Sequence, residues 1–395
     1  MERILETKKL EALSVPFHAA AVGEEEASAA ADVIRSGWLT TGPRTMEFEK
    51  KFAEYVGAKH AVSVASCTAA LHLAYDAIGL RAGDDVLVPA VTFTSTAETV
   101  VYFGATPVIV DVDPVTLNLS VADATRKITP RTRAIVPVHY AGQPCDMAEI
   151  QALAAHHSIE VIEDAAHSLP ASYRGTPVGT ISRITCFSFY ATKTLAIGEG
   201  GMVTTPDDEI AARIRMMRLH GIGRDAWKRY TTEGSWYYEV LDAGYKYNMT
   251  DVQSAIGLVQ LGKCDALRQM RASIAARYDA AFSEQPWFEI PTCLPDRESG
   301  LHLYPIRLHL DTLHIDRAEF IRQLKERGIG TSVHFIPLHL HPFYRDRYGY
   351  KPQDLPIATR EYQRYLSLPF FPTMSAEQVD YVIESAIDIA RGGAK

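Results

Sequence analysis

The chain has 395 residues, 47% of them hydrophobic and 22% charged, with a formal charge of −8. These proportions describe an ordinary globular protein long enough for two domains, and the acidic balance gives no basic field for nucleic acid or an anionic membrane surface. Its five cysteines are scattered without a CxxC pair, so neither a disulfide framework nor a structural zinc site is indicated; no stretch has the pattern of a signal peptide or a membrane span, and a cytoplasmic location is expected.

Glu24 to Ser36 reads as an alanine-rich helix ended by Gly37, followed by a small-polar segment, Leu39 to Pro43, and a helix from Thr45 to Val56 ended by Gly57. A strand from Ala61 then runs into Ser66-Cys67-Thr68-Ala69-Ala70, a tight run of small residues at a helix start. From there strands and helices alternate. Strands are expected at Asp85–Pro89, Thr106–Val112, Arg133–Val138 and Ile159–Ile162, and helices at Ser95–Phe103, Val121–Lys127 and Asp146–His157. Such alternation predicts an α/β fold with a mainly parallel sheet between helices. An apolar run containing Ile184, Cys186, Phe187 and Phe189 predicts a buried strand, and Gly201–Thr204 another. Asp207–Leu219 is a helix, and His220–Tyr247 a long polar and aromatic stretch without periodicity, of the kind that is functional or held by a partner. Asp251–Glu284 reads as one long helix with a weak point at Gly262. Strand Leu303–Leu310, helix Arg317–Arg327, strand Thr331–Phe335 and a last helix from Ser375 complete the chain. The expected division is a large domain over 1–250, then a bridging helix and smaller α+β domain over 251–395.

Chemistry gathers at strand ends. Phe187-Ser188-Phe189-Tyr190-Ala191-Thr192-Lys193 delivers a lysine at the end of a buried strand, just before Gly198-Glu199-Gly200-Gly201. Burial there favours the neutral amine that a Schiff-base lysine needs, although a lone lysine can simply reach out to solvent. Asp164 follows the apolar strand Ile159–Ile162, at the edge where open parallel sheets bind ligands. The small residues around Cys67 and Thr68 leave helix N–H groups open to an anion. A lysine, an aspartate and a phosphate-sized cradle together suggest pyridoxal 5′-phosphate: Lys193 attaches it, Asp164 holds its ring nitrogen protonated, and Thr68 with nearby amides takes the phosphate.

The segments SCTAAL, EDAAHS, FSFYATK, GEGG and GYKYNMTD, in this order, resemble the DegT/DnrJ/EryC1/StrS family of sugar aminotransferases. The likeness runs from Gly37-Trp38-Leu39 to Ser367-Leu368-Pro369. PVHYAG and KERGIGTSVHF resemble the branch making UDP-4-amino-4-deoxy-L-arabinose and related 4-amino sugars. The resemblance implies the fold type I pyridoxal-phosphate architecture with a seven-stranded type of sheet. It also implies L-glutamate as amino donor, 2-oxoglutarate as product, a 4-keto nucleotide-diphosphosugar as acceptor, and a homodimer with shared active sites. By the same resemblance Phe93 stacks on the cofactor ring, Ser188 binds its phosphate, and His167 lies beside it. Asn248 reaches the phosphate of the neighbouring subunit, and His334 touches the nucleotide sugar. Cys67 departs from the glycine or alanine common in that turn. His139 and Tyr140 end another strand and are candidates for the substrate pocket, though packing roles suit them equally.

Three other functions are weighed against this one. A sugar dehydratase of the same family would replace the Schiff-base lysine with histidine, whereas Lys193 is present. A non-catalytic sensor of cofactor or sugar nucleotide would not need Lys193 and Asp164 together. A nicotinamide enzyme would carry GxGxxG after its first strand, which is missing here. The histidines at 334, 339 and 341 are interleaved with Pro337 and Pro342 and lack a nearby carboxylate, which argues against a metal site.

Overall fold

A computed structural model describes residues 13–223 and 237–395. Seven strands form the central sheet: β1 (His60–Val64), β2 (Asp85–Pro89), β3 (Thr106–Val110), β4 (Thr132–Ile135), β5 (Glu160–Asp164), β6 (Ile184–Ser188) and β7 (Gly201–Thr205). Their order is β1-β7-β6-β5-β4-β2-β3. Only β7 runs against its neighbours, pairing antiparallel with both β1 and β6, while the other pairings are parallel. The C-terminal ends of β1, β2, β5 and β6 therefore share one edge. The register Asp164↔Cys186 aligns β5 with β6 there.

Helices on both faces account for the buried, valine- and isoleucine-rich strands. They begin with α1 (Glu24–Ser36), α2 (Pro43–Val56), α3 (Cys67–Ala77) and α4 (Ser95–Val101). Phe52 of α2 meets Phe187 edge-on at 5.1 Å and Phe189 at 5.5 Å, with Phe48 5.5 Å from Phe189. All four rings are fully buried. Each contributes about 1.5–3 kcal/mol on burial, and together they fix the strand that leads to Lys193.

The long helix Asp251–Phe282 is capped by a Thr250–Gln253 capping box and runs unbroken through Gly262, so the expected weak point is not a break. Its Asp251 is buried and caps the distant α2: Oδ1 accepts from Gly42 N (2.7 Å) and Thr45 N (2.9 Å). Leu261 and Cys264 of this helix join the core under β6, whereas Ile274, Tyr278 and Phe282 join a second core. That second core is built on an antiparallel sheet of β8 (Phe288–Glu289), β9 (Tyr304–Leu308) and β10 (Tyr365–Leu368). The division expected at residue 250 is crossed in both directions. Val15 pairs with Ile329 and packs in the second core, while Leu338, Tyr344 and Leu355 return to the central-sheet core.

The strand expected at Thr331–Phe335 does not form; only Ser332 bridges Ser367. Side chains take its carbonyls instead, Tyr140 Oη donating to His334 O and Tyr365 Oη to Phe335 O. The segment is thereby held as a loop over the sheet edge. Of the aperiodic stretch 220–247, Ile222 bridges Val240 and Leu219 bridges Lys246; positions 224–236 lie outside the described residues.

Candidate active site

A cavity of about 520 Å³ opens at the C-terminal ends of β1, β2, β5 and β6. Lys193, Asp164, Cys67, Thr68, Phe93, His167, Ser188 and His334 all line it. The strand order accounts for this convergence, because parallel neighbours deliver the residues after each strand to the same edge.

Lys193 sits five residues past the end of β6, its N–H donating to Tyr190 O at 2.9 Å. Its side chain makes no hydrogen bond or ion pair among the described residues. Burial lowers its pKa to about 8, against smaller opposing effects of Cys67 and Asp164. About a tenth of the amine is therefore neutral at pH 7, far more than at the ordinary lysine value.

Asp164 is 4% exposed. Its Oδ2 accepts from Thr96 Oγ1 (2.8 Å), and its Oδ1 from Ala166 N (3.1 Å) and, more distantly, Cys67 Sγ (4.0 Å). Burial raises its pKa, while Thr96 and Ala166 oppose the rise by bonding the charged form. The Cys67 thiol is pushed up by burial and then by Asp164, so it stays protonated.

Cys67 and Thr68 open α3, whose N-cap Ser66 accepts from Ala69 N at 3.1 Å. The N–H groups of the first helical residues have no acceptor within the helix and face the cavity end. Gly201 makes the turn possible: a Cβ there would stand 2.6 Å from Ser66 C and O. Ser188 is half-buried, and its Oγ accepts weakly from Tyr190 N at 3.4 Å. Phe93 is 59% exposed, with its ring 6.1 Å from Phe335, and so offers a face rather than filling core.

His167 stacks on Phe335 (5.9 Å, 22°), and its Nδ1 is buried without a partner. Burial, then Lys193 and His334, hold it well below the ordinary histidine pKa. His334 stacks on Phe17 at 5.4 Å, and its Nδ1 meets Ser367 Oγ at 3.0 Å. Burial, then Lys193, lower its pKa to about 4.

Three expected residues lie elsewhere. His139 does not line the cavity. It is fully buried, its Nε2 2.8 Å from Glu163 Oε2 and its Nδ1 accepting from Cys145 N at 3.1 Å. Alternation along the chain turns Val138 to the cavity and His139 away from it, to serve the buried Glu163. Tyr140 is also behind the wall, where its Oη supports His334 O at 2.6 Å. Asn248 lies outside this cavity in its own chain. It lines a separate groove of about 960 Å³ with Trp38 and Thr41, and its Nδ2 donates to Thr41 Oγ1 at 2.7 Å.

The sequence reading missed Thr96, Thr92, His302, His18 and Phe17. Thr92 Oγ1 lies 2.8 Å from Thr96 Oγ1, a pair that the spacing of four in Thr92-Phe93-Thr94-Ser95-Thr96 signals weakly. His302, His18 and Phe17 arrive from the second core and the N-terminal segment, and no local pattern marks them.

The donor set suits pyridoxal phosphate: an uncompensated lysine, a buried carboxylate, a helix N-terminus that only glycine at 201 leaves room for, and an unpaired His167 nitrogen. Comparison with known proteins agrees. The chain is 48% identical over 379 residues to the spore coat polysaccharide biosynthesis protein SpsC of Bacillus subtilis, covering 96% of this chain and 97% of that one. The PLP-form of Spr1654 from Streptococcus pneumoniae superposes with a TM-score of 0.90 at 31% identity, over 96% of this chain and 99% of that one. The sugar aminotransferase CalS13 from Micromonospora echinospora superposes with a TM-score of 0.85 at 32% identity, over 95% and 99%. Since the DegT/DnrJ/EryC1/StrS aminotransferase family profile matches residues 20–386, enclosing every group around the cavity except Phe17 and His18, the chain belongs to that family and is a pyridoxal-phosphate-dependent aminotransferase of fold type I.

Proposed function

We propose that the enzyme transfers the amino group of L-glutamate to the 4-keto carbon of a nucleotide-diphosphosugar, a UDP-sugar first, in the cytoplasm, for the synthesis of a cell-surface glycan. The convergence of Lys193, Asp164 and the α3 N-terminus on one cavity carries the reading. SpsC, named for spore coat polysaccharide biosynthesis, supports the glycan, and CalS13 supports the sugar acceptor.

Pyridoxal phosphate supplies an aldehyde that takes up amines covalently and a ring that accepts the electron pair left by a departing proton. Lys193 Nζ would hold the aldehyde, and the same Nζ, when free, would carry the proton taken from the donor Cα. Its pKa near 8 suits it to both giving and taking that proton. Asp164 would pair with the ring nitrogen, and Thr96 and Ala166 N–H keep the carboxylate oriented. Thr68, Ser188 and the α3 amides would hold the phosphate, Cys67 lies in the same turn, Phe93 would cover a ring face, and His167 would sit beside the ring. His334 contacts the nucleotide sugar. Glutamate would give up its amino group and leave as 2-oxoglutarate with a carbonyl oxygen taken from water, and the sugar would take up that nitrogen with its own carbonyl oxygen released as water, so that no oxidant or reductant is needed. Asn248 serves the phosphate of the neighbouring subunit in a homodimer.

The experiment is a panel of 4-keto UDP-, dTDP- and GDP-sugars assayed with glutamate. Amination of a UDP-sugar at the highest kcat/KM is expected. Deoxygenation without nitrogen incorporation, or no turnover with any member, overturns the reading.

A further inference from the structure

Arg271, on the helix Asp251–Phe282, is only 3% exposed, yet it forms no hydrogen bond or ion pair among the described residues, and its Nε is a buried donor without an acceptor. Such a guanidinium is costly, because desolvation of the charge is not offset by any anion among the described residues. Folded proteins keep a feature of this kind where something else supplies the missing charge.

Its surroundings indicate what that is. One turn earlier, Arg268 Nε donates to Ser299 O at 3.0 Å, which lays this face of the helix against the segment leading to His302. His302 is 6% exposed and lines the Lys193 cavity, and its Nδ1 is a second buried atom without a partner. His18 lines the same wall, with Nε2 directed to Ala191 O at 3.2 Å. Both imidazoles feel the Arg271 charge. Burial is the main cause lowering each, followed at His18 by Arg271 and then Lys193, and at His302 by His167, Lys193, His334 and then Arg271. The acidic groups on the cavity do not answer this wall: Asp164 is bonded by Thr96 and Ala166, and Glu199 is exposed.

We propose that His302, with Arg271 behind it, forms an oxyanion subsite of the cavity that receives a carboxylate of the dicarboxylic amino donor. The inference rests on the glutamate reading above and adds to it the residues that select a dicarboxylate. His302 supplies the direct hydrogen bond, and Arg271 supplies charge that becomes compensated only when the carboxylate is seated. A diphosphate of the acceptor offers similar oxygen chemistry, so the test includes both.

The cofactor-loaded enzyme and its Arg271→Met variant are melted with and without 2-oxoglutarate, and separately with inorganic pyrophosphate. Because Arg271→Met removes a buried charge that has no partner among the described residues, its unliganded Tm should equal or exceed that of the wild type. Saturating 2-oxoglutarate should raise the wild-type Tm by about 2 °C or more and leave the variant unmoved, and KM for glutamate should rise at least about tenfold. A variant that melts lower but keeps the full 2-oxoglutarate shift shows Arg271 to be structural and overturns the proposal. A pyrophosphate shift that depends on Arg271, without a 2-oxoglutarate one, overturns the carboxylate assignment. Should Arg271→Met not fold, His302→Asn is measured in the same way, and an undiminished 2-oxoglutarate shift there is equally fatal. Failure of the underlying reading looks different: glutamate would then not bleach even the wild-type holoenzyme.

Discussion

Thr96 Oγ1 donates to Asp164 Oδ2 at 2.8 Å, and Thr92 Oγ1 stands 2.8 Å behind it, so a buried hydroxyl pair on one side and the Ala166 N–H on the other hold the carboxylate. Burial alone drives that carboxyl toward its neutral form, and these donors work against it. They favour the charged form, which the proposed pairing with the cofactor ring nitrogen needs.

Thr96→Val preserves shape and removes the donor. The loss of a hydrogen bond to a buried charged group should cost about 1.5–3 kcal/mol of stability. It should also slow bleaching by glutamate at least about tenfold while the cofactor stays bound, because a less acidic Asp164 supports the sink more weakly. Stopped-flow bleaching beside urea unfolding separates the two effects. Unchanged bleaching with lowered stability would reduce Thr96 to packing.

Most of the central sheet was legible because alternating strands and helices leave a strong periodic trace. Lys193 and Asp164 were legible because each follows such a strand. His139 misled for the same reason: it too ends a strand, and only the buried Glu163 on the opposite face decides which way it turns. The segment 331–335 has β-branched and aromatic residues, yet tyrosines distant in sequence, Tyr140 and Tyr365, take its carbonyls and hold it as a loop. Arg271 and His302 were invisible for a further reason. An arginine on a long helix is ordinary until the fold shows it buried with no partner among the described residues.

The lowered pKa of Lys193 predicts a pH dependence with a definite sign. Its folded value is depressed from 10.5 to about 8, so the unfolded chain binds the proton more tightly between those values. The stability it withholds at neutral pH, about 3 kcal/mol, should return as pH rises from 8 to 10.5 and be lost again as pH falls back to 8, below which the contribution is flat. Subtracting the urea stability of Lys193→Met apoenzyme from that of wild type isolates this contribution. Capture of added cofactor by the wild-type apoenzyme should accelerate about tenfold per pH unit below 8 and level off above it, following the neutral amine. A difference curve flat from pH 7 to 10 would show the amine to be unperturbed.

Gly201→Ala tests the cradle. The new Cβ would fall 2.6 Å from backbone atoms of Ser66 and 2.8 Å from Cys67 N, and neither can yield as a side-chain tip does. The turn must shift, at about 1–3 kcal/mol, and with it the N–H groups proposed to hold the phosphate. Cofactor affinity measured by equilibrium dialysis should fall at least about tenfold. Normal affinity would mean that the phosphate is bound elsewhere.

The proposed sharing of active sites between subunits makes the last prediction. Asn248 lies outside the cavity that contains Lys193 of its own chain, in a groove with Trp38 and Thr41, while Tyr247 O accepts from Ala65 N at 2.7 Å beside the cradle turn. If Asn248 serves the partner's phosphate, a defect at 248 and a defect at 193 fall in different halves of each composite site. In a mixed dimer one site then carries both defects and the other carries neither. Lys193→Ala and Asn248→Arg, each inactive alone, should therefore recover up to about a quarter of wild-type activity on subunit exchange, since half the dimers are mixed and each has one intact site. The arginine is chosen over alanine because one lost hydrogen bond is too mild to inactivate. If both residues serve the same chain's site, every site keeps one defect and no activity returns. Absence of recovery despite exchange proven by tagged subunits, or an active monomer at assay concentration, would sink the shared site.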